Sequence, residues 1–125
     1  MLDHVSITTT DLDRAQQFYD ATMSALGYPR VYRTAQGIGY GERGAASGYI
    51  SVFLGDRVVA DRRHWAFRAP SRAAVRVFHA AALSHGGSDD GAPGLRPHYD
   101  ATYYTAFVLD PDGNRLEAVC REPHE

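Results

Sequence analysis

A displacement of 60 residues lays the first half of this chain on the second. His4 falls on His64, Ile7 on Phe67, Asp11 on Ser71, Phe18 on Phe78, Ala21 on Ala81 and Gly27 on Gly87. The identities are few, but the text repeats in kind: an alternating segment, a capping residue, an amphipathic stretch, a glycine stop. A fold that obeys such a repeat is built from two like units, each too small to bury its own apolar face alone. The 125 residues leave no room for a further domain of ordinary size.

Each unit can be read locally. In LDHVSITT, Val5 and Ile7 point one way while His4 and Ser6 point the other. Asp11 suits an N-cap, because its carboxylate accepts from unpaired N–H groups of the next turn. Leu12, Ala15, Phe18, Tyr19, Thr22 and Leu26 then recur at helical spacing, and Gly27 ends the helix. In the second unit Trp65 and Phe67 alternate with His64 and Ala66, Ser71 caps, and Ala74, Val75, Phe78, Ala81 and Ala82 form the stripe. His85 and Gly86-Gly87 mark its end. Short strands follow each helix: VYRT, GIGYG and GYISVFL first, then TYYTAFVL and NRLEAVC across the turn DPDGN. GGSDDGAPG reads as a Gly/Pro-rich loop. The expectation is an α+β fold of two βαβββ modules, a curved mixed-sheet cup with helices outside. Module one spans 1–57, a linker at 58–62 lies within VVADRR, and module two spans 63–121 within one domain covering 1–125.

Composition excludes several chemistries. All 13 basic residues are arginine, so no lysine amine exists for Schiff-base catalysis. Cys120 is the only thiol, which rules out an intrachain disulfide and a thiolate metal cluster. Net charge is -2, so no nucleic-acid partner is expected, and no apolar run is long enough to span a bilayer. The opening MLDHVSITTT lacks the charged start and apolar run of a secretory signal, which makes a cytoplasmic setting the expectation.

Strand alternation sorts the side chains into two faces. The helix-facing set is Val5, Ile7, Ile50, Val52 and Leu54, then Trp65, Phe67, Leu116, Ala118 and Cys120. The opposite face carries His4, Ser6, Tyr49, Ser51, Phe53, His64, Ala66, Arg68, Glu117 and Val119, a mixture of imidazoles, a carboxylate and apolar walls suited to a pocket. Glu117 alone among the glutamates lies inside an apolar strand. It reads either as a wet residue on an edge strand or, with His4 and His64, as a ligand of Fe, Mn, Zn, Ni or Co. The repeat favours the second, since it sets the two histidines at equivalent points. In LRPHYDATYY, His98 suits an acid or base and Tyr103 an oxyanion donor. Arg96 suits an anionic substrate, and Tyr49, Ser51, Phe53 and Tyr99 suit its walls.

Three segments carry a resemblance: DHVSITTTDLDRAQQFYDATMSALGY, HWAFRAPSRAAVRVFHAAAL and YYTAFVLDPDGNRLEAV. Through them the chain resembles the vicinal oxygen chelate superfamily of glyoxalases, extradiol dioxygenases and fosfomycin- and bleomycin-resistance proteins. The resemblance implies a cup holding a divalent metal that polarises the oxygens of a small substrate, with His4, His64 and Glu117 as ligands, and a homodimer. Where glyoxalase I places a fourth ligand this chain has Ser51, a poor donor, so the pattern resembles the dioxygenase and fosfomycin-resistance types better. The same resemblance allows a metal-free protein that sequesters a small molecule between aromatic walls.

Overall fold

The computed structural model describes residues 1–59 and 61–125; the expected linker at 58–62 includes residue 60, which lies outside the described residues. The elements run β1 (His4–Thr9), α1 (Leu12–Ala25), β2 (Arg30–Arg33), β3 (Gly37–Tyr40), β4 (Tyr49–Leu54), β5 (His64–Arg68), α2 (Arg72–Ser84), β6 (Ser88–Leu95), β7 (Tyr104–Leu109) and β8 (Arg115–Cys120). They form two open four-stranded mixed sheets, ordered β1-β4-β3-β2 and β5-β8-β7-β6. The first and last strands of each sheet unit pair in parallel, β1 on β4 and β5 on β8, which requires the crossover helix between them. This is the α+β architecture of two βαβββ units.

The local signals act as the repeat predicts. Asp11 and Ser71 sit in extended backbone and accept from Arg14 N and Ala74 N, satisfying a free N–H at each helix start. Gly27, at φ +88°, lets the chain turn so that Tyr28 N reaches Met23 O at 2.9 Å. In the second unit the left-handed residue is Gly86, at φ +93°, one position earlier than the repeat would put it. The repeat partners Phe18 and Phe78 are both fully buried where the two helices meet the sheets.

Two expectations need correction. GGSDDGAPG is not a loop: Ser88–Leu95 forms β6, the outer strand of the second sheet, paired only with β7. Its register shifts between Asp89 and Gly91 and between Gly91 and Gly94, so the Gly/Pro content is absorbed in bulges of an edge strand, where Pro93 forfeits no ladder bond. Leu54, expected on the helix side, is exposed at the end of β4.

The units are fastened through the turn after β7. Asp112 accepts from Thr9 Oγ1 (2.5 Å), Thr10 Oγ1 (2.6 Å) and Arg14 Nη2 (2.8 Å). Asn114 Nδ2 donates to Thr8 O, and the buried Tyr19 hydroxyl donates to Asp110 Oδ2 at 2.6 Å. Beside this latch the first strands of the two sheets approach each other only across grooves. Ser6–Thr8 share a groove with Trp65 and Arg115, whereas Ile50, the pairing partner of Val5, shares a groove with Ala66–Arg68.

Candidate functional site

Glu117 is not on an edge. β8 is flanked by β5 and β7, with Glu117 in register with Ala66 on one side and Phe107 on the other, and it is 2% exposed. A carboxylate so placed must have partners. Its Oε2 accepts from the Tyr103 hydroxyl at 2.5 Å and from Thr105 Oγ1 at 2.8 Å, the latter also 2.9 Å from Ala118 O. Its Oε1 lies 3.1 Å from His64 Nε2. One oxygen is thus fixed from behind, and the other faces an imidazole whose side chain is 44% exposed. The His64 ring meets Phe107 edge-on at 6.0 Å.

Tyr103 is well suited to hold the carboxylate. Burial, its hydrogen bond to Glu117 and the Glu117 charge push its phenol up to about 12, so the proton stays on and is donated at neutral pH. Behind it, Tyr99 packs edge-on at 5.1 Å and His98 lies 4.2 Å from Tyr99. His98 is therefore two rings away from Glu117, not in contact with it. Arg96 turns its guanidinium onto the carbonyls of Gly94 (3.0 Å) and Ala92 (2.9 Å) and over the Phe107 ring, where it braces the bulged β6.

The first unit assembles a separate group. His4 stacks on Tyr49 with ring centres 5.1 Å apart, and its Nδ1 lies 2.7 Å from Asp3 Oδ1. Ser51 is buried and accepts from the Tyr32 hydroxyl at 2.6 Å, while Phe53 stays exposed on the same side. The structure thus brings His64, Glu117 and Tyr103 together and leaves His4 apart. His4 and His64 begin strands of two separate sheets, and each finds its partners within its own sheet. Among the described residues no three His, Cys, Asp or Glu side chains are placed to share one metal ion.

Sequence reasoning missed Thr105, which shares a side of β7 with Phe107 and so faces Glu117; alternation along TYYTAFVL contains that signal. It also missed Tyr32 as the partner of Ser51, a pairing that needs the β2–β3–β4 order.

The second sheet of this two-unit α+β protein thus carries a buried carboxylate held by a phenol and a threonine and facing a half-exposed imidazole. The family model of the Glyoxalase/Bleomycin resistance protein/Dioxygenase superfamily matches residues 1–118, and the chain belongs to that superfamily. Among solved structures it is similar to a glyoxalase/bleomycin resistance protein from Albidiferax ferrireducens T118, at 27% identity and TM-score 0.84, covering 98% of this chain and 99% of that one. A glyoxalase-related enzyme from Fulvimarina pelagi (19% identity, TM-score 0.72, 96% of this chain and 87% of that one) shares the fold. So does a glyoxalase/bleomycin resistance protein/dioxygenase family enzyme from Burkholderia phytofirmans PsJN (17%, TM-score 0.73, 96% and 98%). A search of curated proteins found no match. No helix among the described residues is long and apolar enough to cross a membrane.

Proposed function

We propose that the chain is a cytoplasmic metal-assisted enzyme acting on a small oxygenated molecule at the face around Glu117. The observation that carries this is the His64–Glu117 pair. Two donors each about 2.0–2.2 Å from one ion at tetrahedral or octahedral angles stand roughly 3.0–3.5 Å apart, and the observed separation of 3.1 Å falls in that range. The donor types, one imidazole nitrogen and one carboxylate oxygen, suit a first-row divalent ion. Tyr103 and Thr105 fix the carboxylate through its other oxygen, an outer-shell arrangement that aims a ligand.

Two donors are too few to retain such an ion, and His4 is out of reach within the chain. In this proposal a homodimer completes the set, His4 of one copy facing His64 and Glu117 of the other. When bound, a divalent ion supplies Lewis-acid polarisation of substrate oxygens. The chain's own residues do the rest. Glu117 and His64 present the oxygen-binding end, Tyr103 keeps a proton beside it, and Tyr49, Phe53 and Tyr99 offer aromatic walls.

The test is Co(II) titration followed by visible absorption, on the wild type, His4→Ala, His64→Ala and an equimolar mixture of the two variants refolded together. Expected is one site per wild-type chain, loss in either variant, and partial recovery in the mixture, because mixed dimers regain one intact site. Absence of affinity in the wild type would sink the metal reading, and absence of recovery would sink the shared site. The second reading is a metal-free binding protein, favoured by the exposed rings of Phe53 and Tyr99. It predicts ligand-dependent stabilisation indifferent to metal.

A further inference from the structure

The face that carries His64 and Glu117 continues past them. Along β5 it runs to Ala66 and Arg68, and along β8 to Val119 and then Arg121. Ala66, Arg68, Val119, Arg121 and Glu122, with Ala69 and Pro70, line a cleft of about 480 Å³. Its charged side chains are two guanidinium groups and the Glu122 carboxylate, which pairs with neither, over a small apolar floor. Among the described residues Arg68 has no carboxylate within 4.0 Å, and Arg121 has only Asp100, at a slack 3.7 Å. Of the other arginines on this sheet, Arg115 pairs with Asp90 at 3.0 Å and Arg96 is committed to backbone carbonyls.

Arg121 is also tied to the reactive end. Its Cζ sits 4.7 Å from the centre of the Tyr103 ring, and the hydroxyl of that ring donates to Glu117. About one aromatic ring therefore separates the cationic end of the face from its carboxylate end.

We infer that this cleft is an anion subsite: Arg68 and Arg121 hold the carboxylate of a small acid whose carbonyl or hydroxyl oxygen reaches Glu117 and His64. The substrate class is then short oxo or hydroxy acids rather than neutral carbonyl compounds. A guanidinium pair can take a carboxylate through parallel N–H donors, and the apolar floor of Ala66 and Val119 weakens competition from water. Pairing also offsets the repulsion that an acid would meet from Glu117. The inference rests on the proposed function in placing the substrate's oxygen end, but the arginine end can be read separately.

The probes are levulinate, whose ketone lies two methylenes from its carboxylate, its amide levulinamide, and pentanoate, which lacks the ketone. Binding is measured by heteronuclear NMR titration at low salt, on the protein with and without added Zn(II). Levulinate should bind about tenfold or more tightly than levulinamide, the scale of one charge-assisted contact. Arg68→Gln and Arg121→Gln should each shrink that preference several-fold, while Arg43→Gln, an equal charge change on a remote exposed arginine, should leave it intact. Far-UV circular dichroism and the amide shifts of Ala66 and Val119 establish that the variants are folded and that the cleft is the place occupied.

Equal affinity for acid and amide, a preference that survives loss of both arginines, or no saturable binding of the acid overturns the subsite. The ketone arm separates this from the proposed function. A preference for levulinate over pentanoate that vanishes in Glu117→Gln reports the oxygen end. Its absence beside an intact acid preference would refute that reading and leave the subsite standing.

Discussion

Removing one hydroxyl, in Tyr19→Phe, should destabilise the protein by about 2 kcal/mol. The ring is fully buried, edge-on to Phe18 at 4.9 Å and tilted against Tyr40 at 5.9 Å, and phenylalanine keeps those contacts. What disappears is the 2.6 Å bond to Asp110 Oδ2. A hydrogen bond to a charged group contributes about 1.5–3 kcal/mol. The upper end belongs to an acceptor left with nothing, which is not the case here. Asp110 Oδ2 keeps Asn114 Nδ2 at 2.8 Å, and Oδ1 keeps the N–H groups of Asp112 (2.9 Å) and Asn114 (2.8 Å). Water cannot replace the lost donor, because Asp110 is 3% exposed.

For a chain of this length about 2 kcal/mol corresponds to a fall in Tm of roughly 6–10 °C. The assay is urea unfolding at pH 7, with Asp110→Asn and the double variant completing a cycle. Coupling of about 1–2 kcal/mol is expected between two groups in direct contact. A loss under about 0.5 kcal/mol, or strict additivity, would show that this bond does not fasten α1 to the β7–β8 turn.

Burial pushes the buried Asp110 carboxyl up, with the hydrogen bonds from Tyr19 and Asn114 opposing, so its own contribution is largest below about pH 4 and declines as pH rises through its native pKa. Asp112 behaves oppositely: burial raises it, but the donors Thr10, Thr9 and Arg14 together hold it below the usual carboxylate range. Its contribution is present above about pH 4 and is lost as pH falls through its native pKa, so Asp112→Asn should flatten the acid limb of urea midpoint against pH. Gly87→Ala should cost about 2 kcal/mol by thermal unfolding, since a Cβ would meet Leu109 O at 2.7 Å and Ala82 O at 2.9 Å, both backbone atoms that cannot swing aside. Tyr103→Phe should weaken Co(II) affinity about tenfold or more by removing one of the two donors that hold Glu117 Oε2, read in the same titration; an unchanged affinity would deny Tyr103 its part in positioning the carboxylate.

Much of this fold could be read from the residues because its signals are local. Asp11 and Ser71 cap, Gly27 reverses the chain, and Ile7, Phe18 and Phe78 mark faces through periodicities that any strand or helix must obey. β6 escaped because SDDGAPGL has none of the β-branched and aromatic content of a strand. It is a strand only because β7 offers an edge to pair with, and pairing with a distant partner leaves no mark in the local text. The Glu117 environment was half legible. Its isolation in RLEAVC singled it out, but Thr105 and Tyr103 reach it across strand order, and the readiness of Arg68 depends on which carboxylates the fold keeps away from it.

The separation of His4 from His64 follows from the same symmetry that suggested their partnership. A repeat makes two residues equivalent; it does not make them neighbours. Equivalent residues meet only where they lie near the axis that relates the two units. His4 and His64 each begin a strand of a different sheet, and each packs within its own unit. In the proposed site each unit holds half of the ligand set, His4 beside Tyr49 in one and His64 beside Glu117 in the other. On that proposal the halves are joined by a second operation that sets the first unit of one chain against the second unit of another. Two such sites would arise together, by symmetry, in a closed pair. A protein trapped as a monomer should therefore keep its fold and its Glu117 network while losing tight metal binding, and dilution monitored by Co(II) absorption and sedimentation together would show both transitions at one concentration. Metal held stoichiometrically by the dilute monomer would refute the shared site.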